Sequence, residues 1–250
     1  MTAKRILLLL FLLALALGGA LVGAAFYLFR PYQAEAWVQG YVQRTGLALK
    51  EAPYGLELLP KTLKALFAFY PGARVEPLAY APVLVPLAES GYLVVLLKVP
   101  QGIALLGKER ALEAQKAHPG LPLAVGGHSL GGVVAAEVAA REGLPLVLFA
   151  AYPRREPLPG GLPHPGPLRD RRWPPSPRGS PGEGEKASQK RPGGLHPRLN
   201  HAGFGAYGPQ RGDRPAQRPR EELFREVAEE VLLFLESLGW DTLPPPQALR

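Results

Sequence analysis

Hydrophobic positions along this chain fall into three kinds of stretch. The first is one unbroken run, Ile6 to Phe29, which holds no charged residue and follows Lys4 and Arg5. Its 24 positions, at about 1.5 Å each, would span a hydrocarbon core of roughly 30 Å with some tilt. The second kind is short and bounded by turn residues: Leu56 to Leu59, Ala65 to Phe69, Tyr92 to Val99, Leu121 to Gly126 and Leu144 to Ala150. Such continuous apolar runs mark strands buried on both faces, as in parallel sheets. The third kind is helical. Helices are expected within Tyr32–Leu49, Pro77–Ser90, Lys108–Lys116 and Gly132–Ala140. A further one over Glu221–Leu238 places Leu223, Phe224, Val227, Val231, Phe234 and Leu235 on one face and closes at Gly239. Strands alternating with helices over short turns predict an α/β fold with a mostly parallel, doubly wound sheet.

One interval breaks the alternation. Leu162 to Leu199 holds nine prolines, eight Lys or Arg against three acids, and no apolar run longer than two residues. Its composition is that of a disordered basic insert, and it supplies 8 − 3 = +5 of the +8 net charge. The charge is therefore concentrated in one interval, whose plainest functional reading is a flexible loop touching anionic lipid headgroups. The expected organisation is an amino-terminal helix (1–30), a linker (31–53), a folded domain (54–240, with 162–199 aberrant) and a tail (241–250).

Positive charge ahead of the apolar run favours a cytoplasmic amino terminus with the rest of the chain outside. Signal peptides have a shorter apolar region, about 7–15 residues, so an uncleaved membrane anchor over residues 6–29 is the expectation. Cleavage near Val22-Gly23-Ala24, giving a secreted protein, is the alternative. The absence of Cys excludes disulfides, thiolate metal sites and a cysteine nucleophile.

The chemistry lies in Gly127-His128-Ser129-Leu130-Gly131, set between an apolar strand and a small-residue helix. A G-x-S-x-G sequence in that setting can hold a serine on a sharp strained turn with its hydroxyl above the sheet edge. As a bare pentapeptide it would equally describe a glycine-rich turn with a capping serine. An alcohol nucleophile needs a base, and His201 follows late in the chain, as the order serine, acid, histidine requires. His128 is expected to be structural or pocket-lining, and His118 to be a loop residue near a helix end. No phosphate loop, metal constellation or nucleic-acid motif is present, so no cofactor, no metal and no nucleic-acid partner are expected.

Tyr70-Pro71-Gly72, Gly127 to Gly132 and Asn200-His201-Ala202-Gly203-Phe204-Gly205 together resemble the α/β-hydrolase superfamily, in particular a bacterial branch combining these three loops. The resemblance covers residues 54–155 and 200–238. It implies an α/β-hydrolase fold, with Ser129 as nucleophile, His201 as base, and oxyanion donors from the amide of Leu130 and that of Gly72 or Ala73. The implied reaction is hydrolysis of a small carboxylic ester through a covalent acyl-enzyme.

The resemblance leaves the triad acid unassigned. Asp213 and Asp241 follow His201 in the chain, and Asp213 fits the Gly-Asp that follows the histidine loop in similar proteins. Asp170 lies in the aberrant interval with no strand before it. Relatives carry a strand and a Gly-x-x-Asp-Gly turn there. Two compensating frame shifts across roughly 162–199 would restore both: shifted codons from His164 to Arg172 permit Thr-Leu-Ala-Leu-Tyr-Gly-Thr-Glu-Asp. The competing expectation is a catalytically inactive relative that serves as a binding module.

Overall fold

The computed structural model describes residues 3–28, 30–151, 200–210, 212–213 and 218–240. Asp170, Asp241 and the whole 162–199 interval, with the expected acid strand, lie outside the described residues.

The chain begins with α1 (Ala3–Leu28), which is long and apolar enough to cross a membrane by length and composition. Helix α2 (Trp37–Thr45) follows, then strands β1 (Ala48–Ala52), β2 (Gly55–Leu59) and β3 (Ala65–Tyr70). A short 3₁₀ turn leads into α3 (Ala81–Glu89), β4 (Tyr92–Leu97), α4 (Arg110–Ala117) and β5 (Leu123–His128). Next come α5 (Leu130–Glu142) and β6 (Leu146–Phe149). Beyond the undescribed interval, α6 (Arg220–Glu236) completes the described elements.

Among the described residues, six strands form one sheet in the order β1-β2-β4-β3-β5-β6. β3, β4, β5 and β6 run parallel, whereas β1–β2 and β2–β4 pair antiparallel. Every residue of the four parallel strands is buried, because helices cover both faces. Phe67, Phe69, Val94 and Leu96 share a core with α2, α3 and α6. Leu66, Ala68, Val95 and Val125 face α4 and α5. All six apolar residues expected on the core face of α6 are buried.

Residues 31–53, expected as a linker, instead contribute to the fold. Val38 and Val42 of α2 are buried in the core, and β1 extends the sheet through its pairing with β2. The sequence Ala-Leu-Lys-Glu-Ala of β1 is exposed at four of five positions. An edge strand of that kind carries no burial alternation for a sequence pattern to show.

Candidate functional site

Backbone strain gathers at one edge of the sheet. Among the described residues, the non-glycine positions with positive φ are Arg74, Gln101, Ser129 and Ala150. They follow the carboxyl ends of β3, β4, β5 and β6 respectively. A side chain held in that region is disfavoured, and the carboxyl edge of a parallel sheet is where α/β folds place ligands.

Ser129 is the sharpest case, with φ 53° and ψ −119° between β5 and α5. Its amide donates to the carbonyl of Phe149 on β6 at 2.9 Å, so the turn is tied to the neighbouring strand. The surrounding glycines are sterically required. A Cβ on Gly127 would lie 2.5 Å from the Gly131 carbonyl carbon, and one on Gly131 would lie 2.3 Å from the carbonyl oxygens of Tyr70 and Pro71. On Gly132 it would meet Ala151 Cβ at 2.3 Å. The pattern thus lets α5 start against the ends of β3, β5 and β6 at once.

His128, the residue before Ser129, is fully buried and links three segments. Its Nε2 lies 2.9 Å from the backbone carbonyl oxygen of His201, and its Nδ1 lies 2.9 Å from Tyr80 Oη. A carbonyl only accepts, so Nε2 carries the hydrogen. Burial, with His201 nearby, pushes the His128 pKa down to about 3, which leaves the ring neutral and Nδ1 an acceptor. The Tyr80 hydroxyl therefore donates to Nδ1, while Tyr80 Oη accepts from the Gly72 amide at 3.0 Å. A continuous chain runs from the loop after β3, through the elbow, to the histidine loop. It commits the Gly72 N–H, one of the two expected oxyanion donors from that loop, to a phenol oxygen. Ala73 is exposed beside it.

His201 is brought to the elbow by the same chain. Its ring centroid lies 4.7 Å from that of His128, and it opens a 3₁₀ turn over His201–Phe204. Asp213 holds this turn: its Oδ1 accepts from the His201 amide at 3.0 Å and its Oδ2 from the Ala202 amide at 2.7 Å. Burial pushes the His201 imidazole pKa down, and the Asp213 carboxylate pulls it partly back up. The net downward shift keeps the ring neutral near pH 7, the form that can take a proton. The resemblance matches Asp213 to the Gly-Asp that follows the histidine loop in similar proteins. The partnership of Tyr80 with His128 is long-range and left no local signal.

His118 stands elsewhere. Its Nε2 is 2.6 Å from Glu57 Oε1 on β2, which also accepts from Tyr54 Oη at 2.5 Å. In the sheet order β4 and β3 separate that strand from β5. Among the described residues, no group of three His, Asp or Glu side chains could hold a metal ion.

Residues 66–159 match the alpha/beta hydrolase family. No curated protein matches the chain. Among solved structures, one from Thermus thermophilus is 24% identical, with 44% of this chain covering 60% of that one at a TM-score of 0.38. A membrane phospholipase A, described as a bacterial virulence factor, is 24% identical over 61% of this chain and 55% of its own, at a TM-score of 0.36. A thermostable carboxyl esterase from Bacillus coagulans is 18% identical over 41% and 43%, at a TM-score of 0.32. The chain spans less than two thirds of the length of each of these structures. The sheet order and the family match over residues 66–159 together give this chain the α/β-hydrolase fold.

Proposed function

We propose that the chain is a serine hydrolase of carboxylic esters, working through a covalent acyl-enzyme. The observation that carries this reading is the backbone of Ser129, strained at φ 53° and enclosed by glycines that admit no side chain. A capping serine needs no such arrangement; a nucleophile presented above a sheet edge does. Ser129 Oγ attacks the acyl carbonyl while His201 takes the hydroxyl proton. The resulting oxyanion is held by the amides of Leu130 and Ala73. Of the two β3-loop donors, Ala73 is the one left, since Gly72 donates to Tyr80. His201 then protonates the departing alcohol, and water, activated by the same imidazole, releases the acid.

The triad acid decides how fast this cycle runs. In subtilisin, loss of the acid alone lowers turnover by about 3 × 10⁴. A slow esterase is therefore expected from the sequence as it stands, and a restored frame across 162–199 would bring the rate up by a similar factor. Asp170 is the aspartate available within that interval without a frame change. The full chain is expected to hydrolyse a short p-nitrophenyl ester slowly, and Ser129→Ala to abolish that rate. A rate equal in both proteins would reject the reading in favour of an inactive binding module. Residues 6–29 are read as an uncleaved anchor that holds the domain outside the cytoplasm, with secretion after cleavage as the alternative.

A further inference from the structure

The segment that leaves the apolar helix is threaded directly between the two loops of the candidate site. Tyr32 forms an isolated parallel bridge with Val75. Its amide donates to the Arg74 carbonyl at 2.7 Å, and its own carbonyl accepts from the Glu76 amide at 2.9 Å. Ala34 N–H donates to Glu76 Oε2 at 2.7 Å. On the other side, Glu35 N–H donates to the carbonyl of Ala206, just past the histidine loop, at 2.8 Å. Glu35 is also paired with Arg220 at 2.6 Å. The ring of Tyr32 packs on Tyr207 with centroids 5.8 Å apart, and the Arg74 guanidinium stands 5.9 Å over that ring.

Chain length turns this staple into a distance. Leu28 ends α1, and Tyr32 is four residues on. Four residues reach at most about 14 Å. The headgroup layer on each side of a bilayer is roughly 5–7 Å thick, from the difference between its total and hydrocarbon thickness. With α1 across a membrane, the β3 loop is held within about 14 Å of the end of α1, about twice the headgroup depth. A site serving water-soluble esters requires no such tether.

A second feature adjoins the β3 loop. The loop after β4 is bonded to it through Arg74 N–H and the Gly102 carbonyl at 2.7 Å. That loop carries adjacent leucines, Leu105 and Leu106, exposed to 42% and 57%. Trp37, at the start of α2 just after the staple, is also exposed, and Trp is the residue type enriched at membrane–water interfaces. Isolated exposed leucines need no explanation. An adjacent pair on a loop bonded to the tethered one does.

We infer that the substrate is an acyl ester resident in the bilayer, taken at headgroup level by a site that its own anchor holds against the membrane surface. This rests on Ser129 as nucleophile and on α1 as a retained span. Water supplies the oxygen of the released fatty acid, and the alcohol leaves with the proton from His201.

Phosphonylation of Ser129 tests the inference without depending on turnover: the serine oxygen bonds phosphorus, fluoride leaves and His201 takes the proton. The full chain, reconstituted in phosphatidylcholine vesicles, is treated with a short water-soluble alkyl fluorophosphonate or with a long-chain one dissolved in the bilayer. A flexible 20-residue Gly/Ser insertion between residues 29 and 30 lengthens the tether about sixfold. Effective concentration falls as roughly the −3/2 power of linker length, so bilayer-probe labelling should slow about fifteenfold. Labelling by the soluble probe should be unchanged. Leu105→Asp with Leu106→Asp should slow the bilayer probe several-fold and spare the soluble one. Equal behaviour of both probes in the lengthened chain, or an intact mass showing that α1 has been removed, would overturn the membrane inference alone. Failure of the long-chain probe alone in the unaltered chain would likewise overturn the membrane inference, whereas failure of both probes to label Ser129 would remove the hydrolase reading, and this inference with it.

Discussion

The elbow and the histidine loop meet at one point but are held there by different forces. The elbow is steric: Gly127, Gly131 and Gly132 sit where a Cβ would collide with backbone or with Ala151. The histidine loop is polar: its turn hangs on the Asp213 carboxylate, and its first carbonyl on His128. Close packing tolerates almost no change, because backbone atoms cannot move aside. A polar tether can be weakened by degrees, with function lost before the fold. The proposed nucleophile and base are thus expected to fail in different ways.

The largest effect should come from Gly131→Ala. The new methyl carbon would lie 2.3 Å from two backbone oxygens, so a loss of about 3–5 kcal/mol is expected, read by urea denaturation. Gly143→Ala, at the other end of α5, makes the control. It has φ +68° but nothing within 4 Å of the added atom, and should lose only about 1–2 kcal/mol. Similar losses at both positions would mean that backbone conformation, and not crowding, shapes the elbow.

Acid should act on the polar side of the comparison. The His128 pKa is near 3 in the fold against an ordinary 6.5. Between those values the unfolded chain binds the proton and the folded chain does not. Stability is therefore complete above about pH 6.5 and is lost as pH falls towards 3, by about 1.4 kcal/mol per pH unit. Denaturation at a series of pH values should show this slope, and His128→Asn should flatten it. A slope unchanged in that variant would place the acid-sensitive group elsewhere.

The smallest structural effect, and the most selective functional one, is expected from Asp213→Asn. One amide acceptor remains, so folding should weaken by only about 1 kcal/mol. Without the carboxylate the His201 pKa falls further, and the acid limb of the rate profile moves to lower pH. The limb should move while the melting temperature barely changes. A fixed limb would mean that Asp213 does not act on the imidazole.

The same division governs what the sequence could reveal. The four parallel strands and α6 were legible because burial on both faces, or on one helical face, writes itself as a run or a period. The elbow was legible because glycines crowded by backbone must lie close together in sequence. The polar half was only partly so. His201 and Asp213 could be found by their motif, but the Tyr80–His128 bond joins residues 48 apart. The commitment of the Gly72 amide follows from that bond, so Gly72 and Ala73 were indistinguishable before it. The staple at Tyr32 and the edge strand β1 rest mainly on backbone hydrogen bonds, which any residue but proline can donate. That is why residues 31–53 resembled a linker.

The most direct test of the site is a covalent one. After exposure of the full chain to a soluble fluorophosphonate, intact mass and peptide mapping should locate a single adduct on Ser129. The adduct should be absent from Ser129→Ala and formed many times more slowly in His201→Ala. An unlabelled Ser129 in folded protein, or labelling at the same rate without His201, would contradict the assignment of nucleophile and base.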